Sequence, residues 1–187
     1  MTPSRWAPTG PWISTPWEPI PSEPPGAAAW WDPWVPAVIQ TADWTCSCAS
    51  SAWLLNALGD GQLGREWNEW DVVDTLRAAT YYGAVSPDYG LARADMYDLE
   101  VMFNTLGYDV DRVVHAALSD ALALVGTYPT QANGAAWYHH TGMRAFGPGV
   151  ILLANPAPSW KGVGQELSAS EAGAWGSWNL MSVLGRL

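Results

Sequence analysis

The chain has 187 residues, of which 49% are apolar and 14% charged, and its formal charge is -10. That length suits one domain with a core of its own, and the composition excludes a disordered or coiled-coil chain. The eight cations are seven Arg and one Lys, and so acidic a surface argues against nucleic acid or an anionic membrane as partner.

Residues 1–36 hold ten of the fifteen prolines and six of the fourteen tryptophans. Proline removes backbone donors and fixes φ, so "WAPTGPWISTPWEPIPSEPPG" is neither helix nor central strand; it reads as an extended arm of polyproline character. A plain linker would be polar, whereas this arm carries Trp6, Trp12, Trp17, Trp30, Trp31 and Trp34. Tryptophan buries a large apolar area, so the arm is expected to lie on a surface, either that of its own domain or that of a partner or second subunit. The domain proper is expected over residues 37–187.

Three helices are predicted next. "SCASSAWLLNALG" ends at Gly59, a natural stop. "GREWNEWDVVDTLRAATYYG" follows, with Trp67, Trp70, Val73 and Leu76 on one stripe and Gly83 at its end. Its acidic residues Glu66, Glu69, Asp71 and Asp74 read as a solvated face. "RADMYDLEVMFNTLGYDV" is the third, stopped at Gly107, and "SDALALVGTYP" reads as a short fourth. After Pro129 the pattern changes: "HHTGMRAF", Gly147-Pro148-Gly149 and "VILLAN" read as a β-hairpin. "LSASEAGAWGSWNLMSVL" adds a short helix and a last strand. Helices first and hairpin-linked strands second is an α+β order.

The only cysteines, Cys46 and Cys48, stand at the head of the first helix. At i and i+2 on a helix their side chains diverge by about 200°, a poor disulfide pair. Zinc loops space ligands by two to four residues and need two more, so no metal site is expected. No run of about 18 apolar residues predicts a membrane span, and "MTPSRWAPTGPW" lacks the regions of a secretory signal. Reduced thiols and a cytoplasmic location are the simplest expectation.

A thiol at a helix N-terminus with a histidine beside it gains nucleophilicity. Acyl transfer by Cys46 also needs a base, a group to orient the base, and donors for the oxyanion. Gln40, six residues before Cys46, is placed to complete an oxyanion hole with the Cys46 backbone N–H. His139 opens the first strand of the hairpin, and Asn155 closes the second, where a hairpin returns it towards its start; an Asn there can accept from one imidazole nitrogen and leave the other for the thiol.

Gln-x5-Cys at the head of a helix, with His-x15-Asn across a hairpin, resembles the papain-like cysteine peptidases, and "HHTGMRAFGPGVILLANP" is similar to their hairpin with its Gly-Pro turn. The remainder resembles the compact bacterial branch, the bacteriocin-leader (double-glycine) peptidases. Asn56, Leu58 and Gly59 match its Asn-x-Leu-Gly helix end, "DLEVMFNTLGYDV" and "LSDALALVG" match its later helices, and Asn155-Pro156 with "LSASEAGAW" match its tail. The likeness covers residues 37–187. It implies a papain-like fold, with a helical half carrying Cys46 packed on an antiparallel sheet, and a cysteine peptidase using Cys46, His139, Asn155 and Gln40 without a cofactor. The sequence departs from that branch at Thr45, where Asp is frequent, at Ser47, where Gly is usual and which is expected to narrow the oxyanion site, and at Cys48, in place of Pro. Asn155 follows the papain type where the compact branch usually has Asp.

Other readings stand beside these. Cys46 is also readable as a buried structural thiol; Cys48 reads as core. His140 competes with His139, and because neighbours on a strand face opposite sides only one can serve the thiol. His115 reads as a surface histidine, and Trp137 and Trp160 as core packing or as walls of a substrate groove. Two functions follow from this pattern: a thiol hydrolase acting on peptide or protein, and a silent papain-like subunit that docks through residues 1–36. Related acyltransferases or toxins with the same catalytic set are a third.

Overall fold

Four helices and six strands make up a computed structural model that describes residues 35–79, 94, 96–117, 128–134, 139–147, 150–158 and 164–187. The arm up to residue 34, residues 119–127 of the predicted fourth helix (119–129), Gly83, Trp137, the turn at 148–149 and Trp160 lie outside the described residues.

Helix α1 spans Cys46–Ala57, and every residue of it except Asn56 is buried. A helix hydrophobic or small on all sides belongs in the centre of a domain, and the run Cys-Ser-Cys-Ala-Ser-Ser-Ala lets neighbours close on it from every direction. Asn56 faces outward and exchanges hydrogen bonds with the Trp67 backbone, Nδ2 donating to Trp67 O at 2.9 Å and Oδ1 accepting from Trp67 N at 2.7 Å. Gly59, at φ 66°, stops the helix.

Helix α2 is Glu69–Ala79 and α3 is Met96–Thr105. The apolar stripe of α2 differs from expectation: Val72, Val73 and Leu76 are fully buried, while Trp70 is 44% exposed and meets Trp44 edge-on at 5.7 Å. The acidic face also needs correction, because Glu69 is only 2% exposed. It is the first residue of the helix, turned inward onto the segment that leads into α1, whereas Asp71 faces Arg65 at 2.6 Å.

Strands β1 (Tyr108–Ala116), β2 (Thr130–Gly134), β3 (His139–Gly147), β4 (Val150–Ala154), β5 (Glu166–Ser168) and β6 (Trp178–Arg186) form one sheet in the order β1-β6-β2-β3-β4-β5, each neighbouring pair antiparallel. Neither β1 nor β2 was legible in the sequence. β1 is an edge strand with most positions open to water, so its charged residues hide the alternation. β2, "TQANG", is buried at all five positions yet almost wholly polar.

Alternate residues of β6 feed two cores. Met181 and Val183 join Trp53, Leu55, Val72, Leu99 and Phe103 under α1–α3, while Trp178 and Leu180 join Met143, Leu153 and Trp175 on the other face. The second face is covered by α4 (Ala169–Ala174), whose capping box pairs the Ser168 hydroxyl with Glu171 N and the Glu171 carboxylate with Ser168 N. Val35 packs on the first face, and its carbonyl accepts from Trp53 Nε1 at 3.3 Å.

Candidate active site

α1 meets the sheet at β3 through a close approach. A Cβ on Gly142 would overlap the Trp53 ring, so only glycine lets the helix lie flat on the strand. That contact sets Cys46, the first residue of α1, at the beginning of β3.

Cys46 is 8% exposed and its thiol is free. Burial pushes the thiol above its ordinary value, and the backbone N–H groups of His140, Ser47 and Cys46 itself pull it partly back. Two of these donors belong to the first turn of α1 and one to the start of β3, so the sulfur lies where helix and strand meet. Cys48 is fully buried, and burial pushes its thiol up to about 12, with the Ser47 hydroxyl lowering it and the charges of Cys46 and Glu69 raising it.

His139 and His140 point to opposite faces of β3. His140 turns to α1, where Gln131 Nε2 stands 3.3 Å from its Nδ1 and 3.0 Å from Ser47 O, while Gln131 Oε1 accepts from Ser51 at 2.7 Å. The amide is thus used at both ends, and His140 Nδ1 is the acceptor. Burial, with His139 adjacent, pushes His140 down to about 3.

His139 turns to the other face. Its Nε2 lies 2.8 Å from Asn155 Oδ1, and its ring packs edge-on against Trp175 at 6.3 Å, which in turn stacks on Trp178 at 5.1 Å. Gly134, opposite His139 in the β2–β3 register, has no side chain, and a Cβ there would strike Trp175. Burial lowers the His139 pKa, and the Asn155 hydrogen bond raises it.

Asn155 is fully buried and fixed on all sides. Its Oδ1 also accepts from Ala157 N at 3.0 Å, its Nδ2 donates to Gly164 O at 3.0 Å, and Gln165 brackets its backbone with bonds of 2.8 and 3.0 Å. The next residue holds the fourth candidate: Gln40 N donates to Pro156 O at 3.0 Å. Gln40 Nε2 donates one proton to Ala42 O at 2.8 Å.

The structure therefore places Cys46 against the His140 backbone, His139 on Asn155 and Gln40 on Pro156, all around the start of β3, and sets His115 apart, exposed on the edge strand beside Ser177 and Asn179. Sequence reasoning missed Gln131, which holds His140, and Glu69, described below. Gln131 lies in the unrecognised strand β2, and nothing in the sequence separates Glu69 from Glu66. No group of His, Cys, Asp and Glu among the described residues is arranged to hold a metal, and no described helix is long and apolar enough to cross a membrane.

No family model matches the chain, and no curated protein matches it in sequence. Among solved structures, its fold is similar to that of a double glycine motif protease from an AMS/PCAT transporter in complex with the leader peptide. The TM-score is 0.57 and the identity 15%, over 80% of this chain and 91% of that one. Three helices ahead of an antiparallel sheet, with the first packed on the strand that opens with His139, make this an α+β fold of the papain-like kind.

Proposed function

We propose that the protein is a cysteine peptidase, a thiol hydrolase of peptide or protein substrates, with Cys46 as nucleophile, His139 as base, Asn155 as its orienting partner and Gln40 as an oxyanion donor. The observation that carries this reading is the 2.8 Å His139–Asn155 bond at the start of β3, one residue from the N–H that meets the Cys46 thiol. An imidazole whose Nε2–H is given to Asn155 has Nδ1 as its basic nitrogen.

In the reaction His139 Nδ1 takes the thiol proton as the Cys46 sulfur attacks the scissile carbonyl carbon. The oxyanion that forms is held by the Cys46 N–H and by the second N–H of Gln40 Nε2, whose first is given to Ala42 O. Collapse breaks the C–N bond, and His139 returns its proton to the leaving amine. Water then attacks the thioester with His139 as base, releasing the acid and restoring the thiol. Burial raises Cys46 and lowers His139, and both directions favour a neutral resting pair in which proton transfer accompanies attack.

The similar fold belongs to a double glycine motif protease in complex with a leader peptide, so peptides that carry a double-glycine motif are the first substrates to try. The wild-type chain should cleave such a peptide and Cys46→Ala should not. Equal rates, or no cleavage of any peptide in a broad library, would sink the reading.

The second reading, a silent subunit docked through residues 1–36, is favoured by the same buried, proton-holding Cys46. Deleting residues 1–36 separates the two: a peptidase keeps its turnover on a short peptide, and a docking subunit loses its partner.

A further inference from the structure

We infer that Glu69 is a positioning residue whose charge clamps the segment between Gln40 and Cys46, and with it the oxyanion donors. The inference deepens the peptidase reading and rests on it for the link to turnover, although the clamp itself does not.

Glu69 opens α2, where the N-terminal dipole favours an anion. Both carboxylate oxygens lie 2.9 Å from Thr41 N, the Thr41 hydroxyl donates to Oε1, and Thr45 Oγ1 lies 2.9 Å from Oε2. No Lys, Arg or His among the described residues forms an ion pair with it. A carboxyl group that is 2% exposed and has no cation beside it depends on hydrogen bonds, and among the described residues these come from Thr41 and Thr45. Thr41 directly follows Gln40, and Thr45 directly precedes Cys46.

The geometry around Ala42 shows what the charge decides. Ala42 O lies 2.8 Å from Gln40 Nε2, 2.9 Å from Thr45 Oγ1 and 3.2 Å from Thr45 N. The Thr45 hydroxyl has one proton and two acceptors at equal distance, Ala42 O and Glu69 Oε2. An anionic oxygen is the stronger acceptor, so it takes the proton and leaves Ala42 O to the Gln40 amide. With a neutral side chain at position 69 the proton returns to Ala42 O, competes with Gln40 Nε2, and releases the amide from its orientation.

Glu69→Gln, nearly the same size, removes the charge and replaces one acceptor oxygen with an NH2 donor. On the full chain, hydrogen exchange of the Thr41 amide should rise by at least about tenfold while α1 amides are unchanged; Thr45→Val should act in the same direction. On a peptide that the wild type cleaves, kcat should fall by at least about tenfold, with KM and the rate of Cys46 alkylation by iodoacetamide within about twofold, because alkylation forms no oxyanion. Unchanged Thr41 exchange in both variants, or an equal acceleration throughout α1, overturns the clamp. Unchanged kcat with accelerated exchange overturns its link to the oxyanion donors. Should the wild type cleave nothing while Thr41 exchange rises, the clamp stands and the peptidase reading falls.

Discussion

Two adjacent histidines occupy one strand and differ in almost every physical respect. His140 is held by Gln131, and burial, with His139 adjacent, pushes its pKa down to about 3. His139 is buried too, but its bond to Asn155 raises its pKa against the lowering by burial. As base it must be neutral, and its pKa is lowered, so turnover falls on acidification only through a limb below about 6.5, the ordinary histidine value; a kcat/KM profile tests this. Thiolate at Cys46 forms only as pH rises, and its pKa lies above the ordinary value. Alkylation of Cys46 should therefore reach half its maximum only above about pH 8.5, the midpoint for a free thiol. A plateau below neutrality would reveal a preformed ion pair instead. Asn155→Ala should leave partial activity, reduced by about ten- to a hundredfold, because the imidazole survives but loses its orienting bond. Alternation along a strand foretold that the two histidines face opposite sides, as they do. What each of them meets was not legible, because Gln131 lies in a strand the sequence did not reveal.

At the level of elements, the meeting of α1 with β3 depends on an absent side chain. Gly142→Ala would drive a methyl group into the ring of the fully buried Trp53. The expected result is a loss of about 1–3 kcal/mol, the usual penalty for overpacking, read as a lower urea midpoint, together with a fall in turnover as the helix start shifts from the strand. The end of α1 was legible because Gly59 marks it, and the hairpin was legible because two apolar runs flank a Gly-Pro-Gly turn. Strand β2 was not. Its Thr130 bonds Ser182 at 2.9 Å, its Gln131 serves α1, and its Gly134 makes room for Trp175. Such a strand is polar because its partners are polar, and that complementarity exists only once the chain has folded. The α2 face misled for a related reason, since an inward Glu at a helix start looks like an outward one until its donors are known.

Over the whole molecule, Asp60 ties distant segments together. Its carboxylate receives Tyr108 Oη at 2.5 Å, Gln62 N at 2.9 Å and Trp67 Nε1 at 3.3 Å, and it pairs with Arg186 at 3.1 Å. Arg186 also lies over the Tyr108 ring, 4.2 Å from its centre. Burial pushes the Asp60 pKa up, yet the bonds from Tyr108 and Gln62 and the Arg186 charge outweigh it and leave it below the usual carboxylate value. A depressed folded pKa stabilises above the unfolded value near 3.9 and is lost as pH falls through the folded one. Asp60→Asn should therefore lower stability at pH 7 by about 1–3 kcal/mol, with the gap to wild type closing as the pH drops below about 4. A gap that stays constant with pH would show that the charge contributes nothing.

The position of β6 has a consequence for how the protein comes into being. The last strand in chain order pairs with both β1 and β2 and supplies side chains to both cores. A nascent chain that has emerged only as far as residue 160 already carries Cys46, His139 and Asn155, but its sheet is in two pieces and His139 lacks Trp175. Strand β1 and the block β2–β5 are then joined into one sheet only once residues 178–186 have been made, so the order of synthesis leaves the closing of both cores to the last strand.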